Sequence, residues 1–157
     1  MHFLERYRNA HEMNFRTQYP ESYKCGHYSP PLIPKWRTAN GLTRFIVNYL
    51  TWTGCYGNRI NTAGRLTEGS IITESGTRLR TKKWLPSTTK RGTADIHAII
   101  NGMHVSIEIK IKDSQSSDQR QEQSRIELAG GKYWICHSPE EFFAHLDSIE
   151  FRPTTKP

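Results

Sequence analysis

The dipeptide Asn101-Gly102, set inside "GTADIHAIINGMHVSIEIK" (residues 92–110), constrains the fold more than any other feature of the chain. A type I′ hairpin turn needs positive φ at both central positions, which Asn-Gly tolerates, and apolar residues alternate on both sides of it. Two strands joined by this turn pair Ile100 with Met103, Ile99 with His104, His97 with Ser106, and Asp95 with Glu108. Val105, Ile107, Ile109 and Ile111 then share the face that belongs to a core, while Glu108 and Lys110 share the other. Directly opposed side chains hold their Cβ atoms about 4.5–5.5 Å apart, so two carboxylates there repel one another unless positive charge sits between them.

That opposition is what makes the hairpin chemically informative. Glu-x-Lys on a strand is common as a solvated pair, and an Asp often opens a strand. Asp95 and Glu108 facing each other beside Lys110 is a different matter, because a purely structural hairpin would avoid it. Hard divalent cations take oxygen ligands and commonly bind through one or two carboxylates plus phosphate oxygens and water. An ion held this way polarises a phosphodiester and supplies a hydroxide-like nucleophile, and a neighbouring Lys can orient water or stabilise charge on phosphate. The polar face of the hairpin therefore reads as a metal-dependent phosphodiester-cleaving site.

Charge points to the same class of partner. The formal net charge is +7 over 157 residues, with a pI near 9.5, and clustered Lys and Arg gain affinity for polyanions by releasing counterions. The cations concentrate between Thr77 and Arg91, where Arg78, Arg80, Lys82, Lys83, Lys90 and Arg91 occur without one acid. Arg78 and Arg80 flank Leu79, which would place both on one face of a strand. Cys25, Cys55 and Cys136 are too scattered for a disulfide framework or a zinc knuckle, and ordinary reduced thiols are expected. No window has the apolar length of a membrane span and the N-terminus lacks a signal-peptide core, so a soluble, cytoplasmic protein without a membrane partner is expected.

Hydrophobic residues make up 35% of the chain, which suits one modest core. Residues 1–37 read as a basic, aromatic and Pro-rich N-terminal extension, opening with a short amphipathic helix in which Phe3, Tyr7 and His11 recur at helical spacing. Residues 38–150 read as the main domain and 151–157 as a loose tail. "TANGLTRFIVNYLTWTG" is helical, with Leu42, Phe45, Ile46, Tyr49 and Leu50 on one side and Gly54 as its stop. "NRINTAGRL" reads as a short strand, and residues 67–94 as the least regular stretch. A polar helix with a Ser-rich start and a Gly-Gly stop follows the hairpin. Next come the buried-type strand "KYWICHS" and a helix announced by "SPEE". A helix linking two strands implies a parallel crossover, so a mixed central β-sheet flanked by helices (an α/β fold) is expected.

Asp95, Glu108 and Lys110, in the spacing Asp-x₁₂-Glu-x-Lys, resemble the PD-(D/E)XK nuclease signature. With "RINTAG", "KRGTADIHAI", "SIEIK" and the Gln-rich helix running to "AGGKYWI", the chain is similar over about residues 40–145 to the virus-type replication-repair nuclease (VRR-NUC) family. The resemblance implies a restriction-endonuclease-like α-β-β-β-α-β core and a deoxyribonuclease in which Asp95, Glu108 and the Ile109 carbonyl bind Mg²⁺ or Mn²⁺. Lys110 would be the catalytic lysine. It also implies a Gln from the following helix at the site; Gln115, Gln119 and Gln123 share a face, and Gln119 is the favoured one. Arg59 and Asn61 would lie near the substrate. Two departures stand out: Ala94 replaces the motif's proline, and the helix in "TANGLTRFIVNYL", the first of the implied core, carries no acid, Asn40 standing about where one is expected, which favours one metal over two. The implied substrate is DNA, branched or single-strand-containing, the implied assembly a homodimer, and the setting replication and repair in a bacterial or phage-infected cell. The competing reading is a non-cleaving nucleic-acid-binding module of the same fold.

Overall fold

The computed structural model describes residues 2–61, 64–85 and 89–153. Part of "RINTAG" (62–63), part of the basic stretch (86–88) and the end of the expected tail (154–157) lie outside the described residues. The elements are α1 (Phe3–Gln18), α2 (Pro20–Lys24), α3 (Ala39–Trp52), β1 (Tyr56–Arg59), β2 (Arg65–Ile72), β3 (Arg78–Leu85), β4 (Ile96–Ile100), β5 (Met103–Ile109), α4 (Ser117–Leu128), β6 (Lys132–Cys136) and α5 (Pro139–Ser148). Four strands form a mixed sheet in the order β1-β4-β5-β6, antiparallel except for β5 beside β6, which α4 connects. The chain is thus mixed α/β, with a mixed central sheet and helices packed against it.

The hairpin adopts the register its turn dictates. Asn101 and Gly102 take φ of 51° and 78°, and Ile100, Ile99 and His97 oppose Met103, His104 and Ser106. Ile96, Ala98, Ile100, Val105 and Ile107 are fully buried on the core face. Against them pack α3, through Leu42, Phe45, Ile46 and Leu50, and α5, through Phe142 and Leu146. Each such side chain removed from water contributes roughly 1.5–3 kcal/mol.

Local signals set the helix ends. Thr38 caps α3 by accepting from Gly41 N, and Gly54 leaves the helix at φ 78°. Ser138 caps α5, with Pro139 in its first turn. The N-terminal segment joins the same core: Tyr7 stacks on Phe45 at 4.1 Å and accepts a hydrogen bond from Asn48 Nδ2 at 3.1 Å. Arg6 lies over the Phe143 ring and pairs with Asp147 at 2.8 Å.

The stretch expected to be least regular is instead an eight-residue-per-strand antiparallel ribbon, β2 with β3, separate from the central sheet. Its periodicity is hidden because neither face is buried. From Leu66 to Trp84 only Thr67, Thr73 and Thr81 are half-buried, and every other residue is exposed. The strand expected in "NRINTAGRL" is likewise displaced, running from Tyr56 to Arg59.

Candidate functional site

On the face of the sheet opposite the core, β5 carries His104, Ser106 and Glu108, β4 carries His97, and β6 carries Tyr133, which pairs with Ser106. Such a face is ordinarily left to solvent. Here the polar helix α4 reaches its Glu108 end through Gln119, and β5 is buried from Val105 to Ile109 while His104 stays exposed. Glu108 and Lys110 are 4% and 6% exposed.

Asp95 stands immediately before β4, at the position the register assigns opposite Glu108. Its Oδ2 accepts from the Ile109 N–H at 3.0 Å, and its own carbonyl accepts from Ile60 N at 2.7 Å. The carboxylate is thereby held between β1 and β5. Lys110 Nζ lies 3.2 Å from Glu108 Oε1 and 3.1 Å from Asp113 Oδ2. The Asp113 side chain is 70% exposed, the outward end of the network.

Gln119 Nε2 donates to Glu108 Oε1. The orientation of that amide follows from the sequence: Ser116 caps α4, its hydroxyl accepting from Gln119 N, while Gln119 Oε1 accepts from Ser116 N at 2.8 Å. This capping box uses the Gln119 oxygen and so turns its NH₂ group toward the carboxylate. Gln115 and Gln123 bond to each other instead, at 2.8 Å. The second Glu108 oxygen, Oε2, accepts from the buried Tyr133 hydroxyl at 3.4 Å.

The electrostatics match this geometry. Burial, then the Asp95 charge, push the Glu108 carboxyl above its ordinary range, against the pull of Lys110 and Gln119. Burial pulls the Lys110 ammonium down, but its bonds to Asp113 and Glu108 outweigh it and hold the group above its usual value. Burial, reinforced by Glu108, raises the Tyr133 phenol, which stays a donor. Two carboxylates are forced together beside one cation, Lys110, which also pairs with Asp113, so their repulsion is only partly offset. Such a group of perturbed, mutually interacting charges is the kind of arrangement found at functional sites.

No protein-family model, curated protein or solved structure matches the chain.

Asp95, Glu108, Ile109, Lys110 and Gln119 therefore converge on one spot. Arg59 and Asn61 flank Ile60 beside it, and Arg59 Nη2 donates to Asn40 Oδ1 at 2.6 Å. Lys90 pairs with Glu122 of α4 at 2.6 Å, and Arg91 is exposed next to it. Arg78, Arg80, Lys82 and Lys83 are not in this cluster; they project from the β2–β3 ribbon. Sequence reasoning missed Tyr133 and Asp113. For Tyr133 the signal was present, since Tyr133 and Trp134 must take opposite faces of β6.

Gly92 fixes the approach of the loop before Asp95. It has φ 82°, and a Cβ there would lie 2.4 Å from the Asp118 carbonyl oxygen in the first turn of α4. Among the described residues no three His, Cys, Asp or Glu side chains group as metal ligands. An ion at this site would thus rest on Asp95 and Glu108, with main-chain, water or phosphate oxygens completing its shell, as suits a hard cation. A separate cavity of about 280 Å³ lies between α1 and the end of α3, lined by Ala10, Met13, Tyr49 and Trp52 among others, and contains none of these residues. Among the described residues no helix is long and apolar enough to cross a membrane.

Proposed function

We propose that the protein is a metal-dependent nuclease that hydrolyses DNA phosphodiester bonds, with a restriction-endonuclease-like core of the VRR-NUC kind. The observation that carries this reading is the meeting of Asp95, Glu108, Lys110 and Gln119, drawn from a hairpin and the helix after it. The donor set fits Mg²⁺ or Mn²⁺, because two mutually repelling carboxylates in a partly dry site gain most from a hard dication. Asp95 and Glu108 would hold it, with the Ile109 carbonyl as the resemblance implies. When bound, such an ion acts as a Lewis acid on the phosphoryl oxygen and lowers the pKa of a bound water.

The chain's own groups divide the remaining work. Gln119 and Tyr133 fix the Glu108 carboxylate from its two oxygens, so that its lone pairs are aimed before substrate arrives. Lys110, kept charged by its surroundings, stabilises negative charge developing on the phosphate and orients the attacking water. Asp113 is the exposed partner that Lys110 can exchange for a substrate oxygen. Arg59 and Asn61, at the same end of the sheet, contact the flanking backbone. Branched or partly single-stranded DNA and a homodimeric assembly follow from the family resemblance.

The test is cleavage of a single strand, a duplex, a flap and a four-way junction with Mg²⁺, Mn²⁺ or EDTA. Metal-dependent cutting is expected, lost in Asp95→Ala and Glu108→Ala while nucleic-acid binding is kept or strengthened. Activity retained in either variant would refute the assignment. Salt-sensitive binding without cutting on any substrate would leave the non-cleaving module.

A further inference from the structure

The β2–β3 ribbon contradicts ordinary folding economy. A two-stranded hairpin is marginally stable alone in water and is normally packed on something. Here both faces are exposed, including Leu66 at 53%, Ile71 at 54%, Ile72 at 74%, Leu79 at 47% and Trp84 at 61%. The register places Arg78, Arg80 and Lys82 in one row on one face, opposite Ile72, Ser70 and Glu68. Arg78 Nε is tethered to Ser70 Oγ at 2.9 Å, and Lys82 lies 3.6 Å from Glu68. Lys83 alone of the β3 cations points to the other face.

Its root matters as much as its surface. The chain enters the ribbon after Ile60, whose N–H is bonded to the Asp95 carbonyl, and returns at Thr89, whose hydroxyl donates to the Asn61 carbonyl at 2.9 Å. The next residue, Lys90, pairs with α4, the helix that carries Gln119. The described residues that flank the ribbon, 60–61 and 89–90, are therefore held at the Asp95 end of the sheet.

We propose that this ribbon lies in the major groove of a DNA duplex, so that the substrate must carry a double-stranded arm next to the bond presented to Asp95 and Glu108. The inference rests on the nuclease reading for the word substrate, but the binding mode stands on the ribbon itself. A major groove about 12 Å wide admits a two-stranded β-ribbon in undeformed B-DNA, whereas a minor groove of about 6 Å takes one only when the duplex is widened and bent, at a cost in deformation energy. Eight residues per strand extend roughly 26 Å, the rise of about seven or eight base pairs at about 3.4 Å each. Charge selects a polyanion over a second copy of the chain: β3 has four cations and no acid, and its free edge would repel the same edge of a copy.

The test is run on the full chain in EDTA, so that binding is read without cleavage. The probes are a 20-base-pair duplex and one of its strands alone. The variant Arg78→Ala/Arg80→Ala/Lys82→Ala alters only exposed side chains and is expected to fold normally, checked by its melting curve. It should lose duplex affinity about tenfold or more, and its log–log salt slope should fall by about 2.7, at about 0.9 per phosphate contact. Single-strand affinity should change far less. On the bound duplex, guanine N7 should be protected from methylation over about seven base pairs while adenine N3 is not, since these mark the major and minor grooves. Unchanged duplex affinity in the variant, protection confined to adenine N3, or no duplex binding by the wild type would each overturn the proposal. So would a ribbon-dependent dimer in sedimentation that duplex does not displace. The two readings can fail separately. Groove binding without cutting on any substrate would sink the nuclease and keep the ribbon's role, whereas cutting that is indifferent to the variant would do the reverse.

Discussion

Lys110→Met tests whether one buried cation is what lets Asp95 and Glu108 coexist. Methionine keeps the unbranched stem and much of the volume of lysine, so the change is chiefly the loss of charge. The Lys110 and Glu108 side chains are 7% and 5% exposed and lie 3.2 Å apart. Removing one partner of such a pair leaves an uncompensated buried charge and costs about 3–5 kcal/mol. The exposed Asp113 partner adds little, because its ion pair is screened by water. A loss of about 3 kcal/mol in a chain of this size lowers Tm by roughly 6–12 °C.

The pH dependence separates charge from packing. The Glu108 carboxyl already titrates above its ordinary range, through burial and Asp95, and loss of Lys110 raises it further. An acid whose folded pKa exceeds its unfolded one binds protons more tightly in the native state, so stability falls as pH rises through that interval. Below the ordinary Glu range Glu108 is neutral in wild type and variant, and the two should melt close together. The full gap opens only above the raised folded pKa. Denaturation in EDTA from pH 4 to 8 measures this, and the double variant Lys110→Met/Glu108→Gln should regain about 2 kcal/mol at pH 8 because the orphaned charge is gone. A gap of constant size across pH, or a double variant as unstable as the single one, would refute the argument and reduce Lys110 to a packing residue.

Gln119→Ala removes both the reciprocal half of the capping box and the Glu108 donor. About 1 kcal/mol of stability and at least tenfold in single-turnover cleavage should be lost, whereas unchanged cleavage would leave Gln119 a cap only. Gly92→Ala forces a Cβ toward the Asp118 carbonyl at positive φ. It should cost about 2 kcal/mol or more in urea denaturation, since the αL penalty alone is about 1–2 kcal/mol and the clash adds to it.

Much of this was legible where local chemistry decides the outcome. Asn101-Gly102 sets the β4–β5 register by itself, because only that pairing satisfies positive φ at both turn positions. The apolar period of α3 and the Ser caps of α4 and α5 are equally local. Opposition of Asp95 and Glu108 followed from the register without any tertiary information. The β2 strand was hidden because both its faces meet solvent, which erases the alternation that marks a half-buried strand. Asp113 was hidden for another reason: its bond to Lys110 depends on how the loop after β5 settles, and no short-range pattern encodes that. For Tyr133 the strand alternation gave the face, and only the parallel register beside β5 was needed to name Glu108 as its partner. Gln119 is intermediate: three glutamines share its face, and the capping box at Ser116 separates it from the other two.

The helix α4 is held beside β5 by polar contacts rather than by apolar packing. A sheet face buried under a helix is ordinarily apolar on both sides, yet α4 has no buried residue. It lies along β6 and bonds to the polar face of the sheet through Gln119 and Glu108 rather than through a second hydrophobic layer. The Ser106 hydroxyl is buried without a protein hydrogen-bond partner among the described residues. With little apolar area to hold it, α4 is positioned by a few polar fixtures: the Gln119–Glu108 bond, the Lys90–Glu122 pair and the close approach at Gly92. Each of these also touches the carboxylate cluster or the root of the ribbon. The residues that secure the helix are therefore the ones that organise the site, and an apolar replacement that strengthened the packing of α4 would remove the contacts that the proposed chemistry requires.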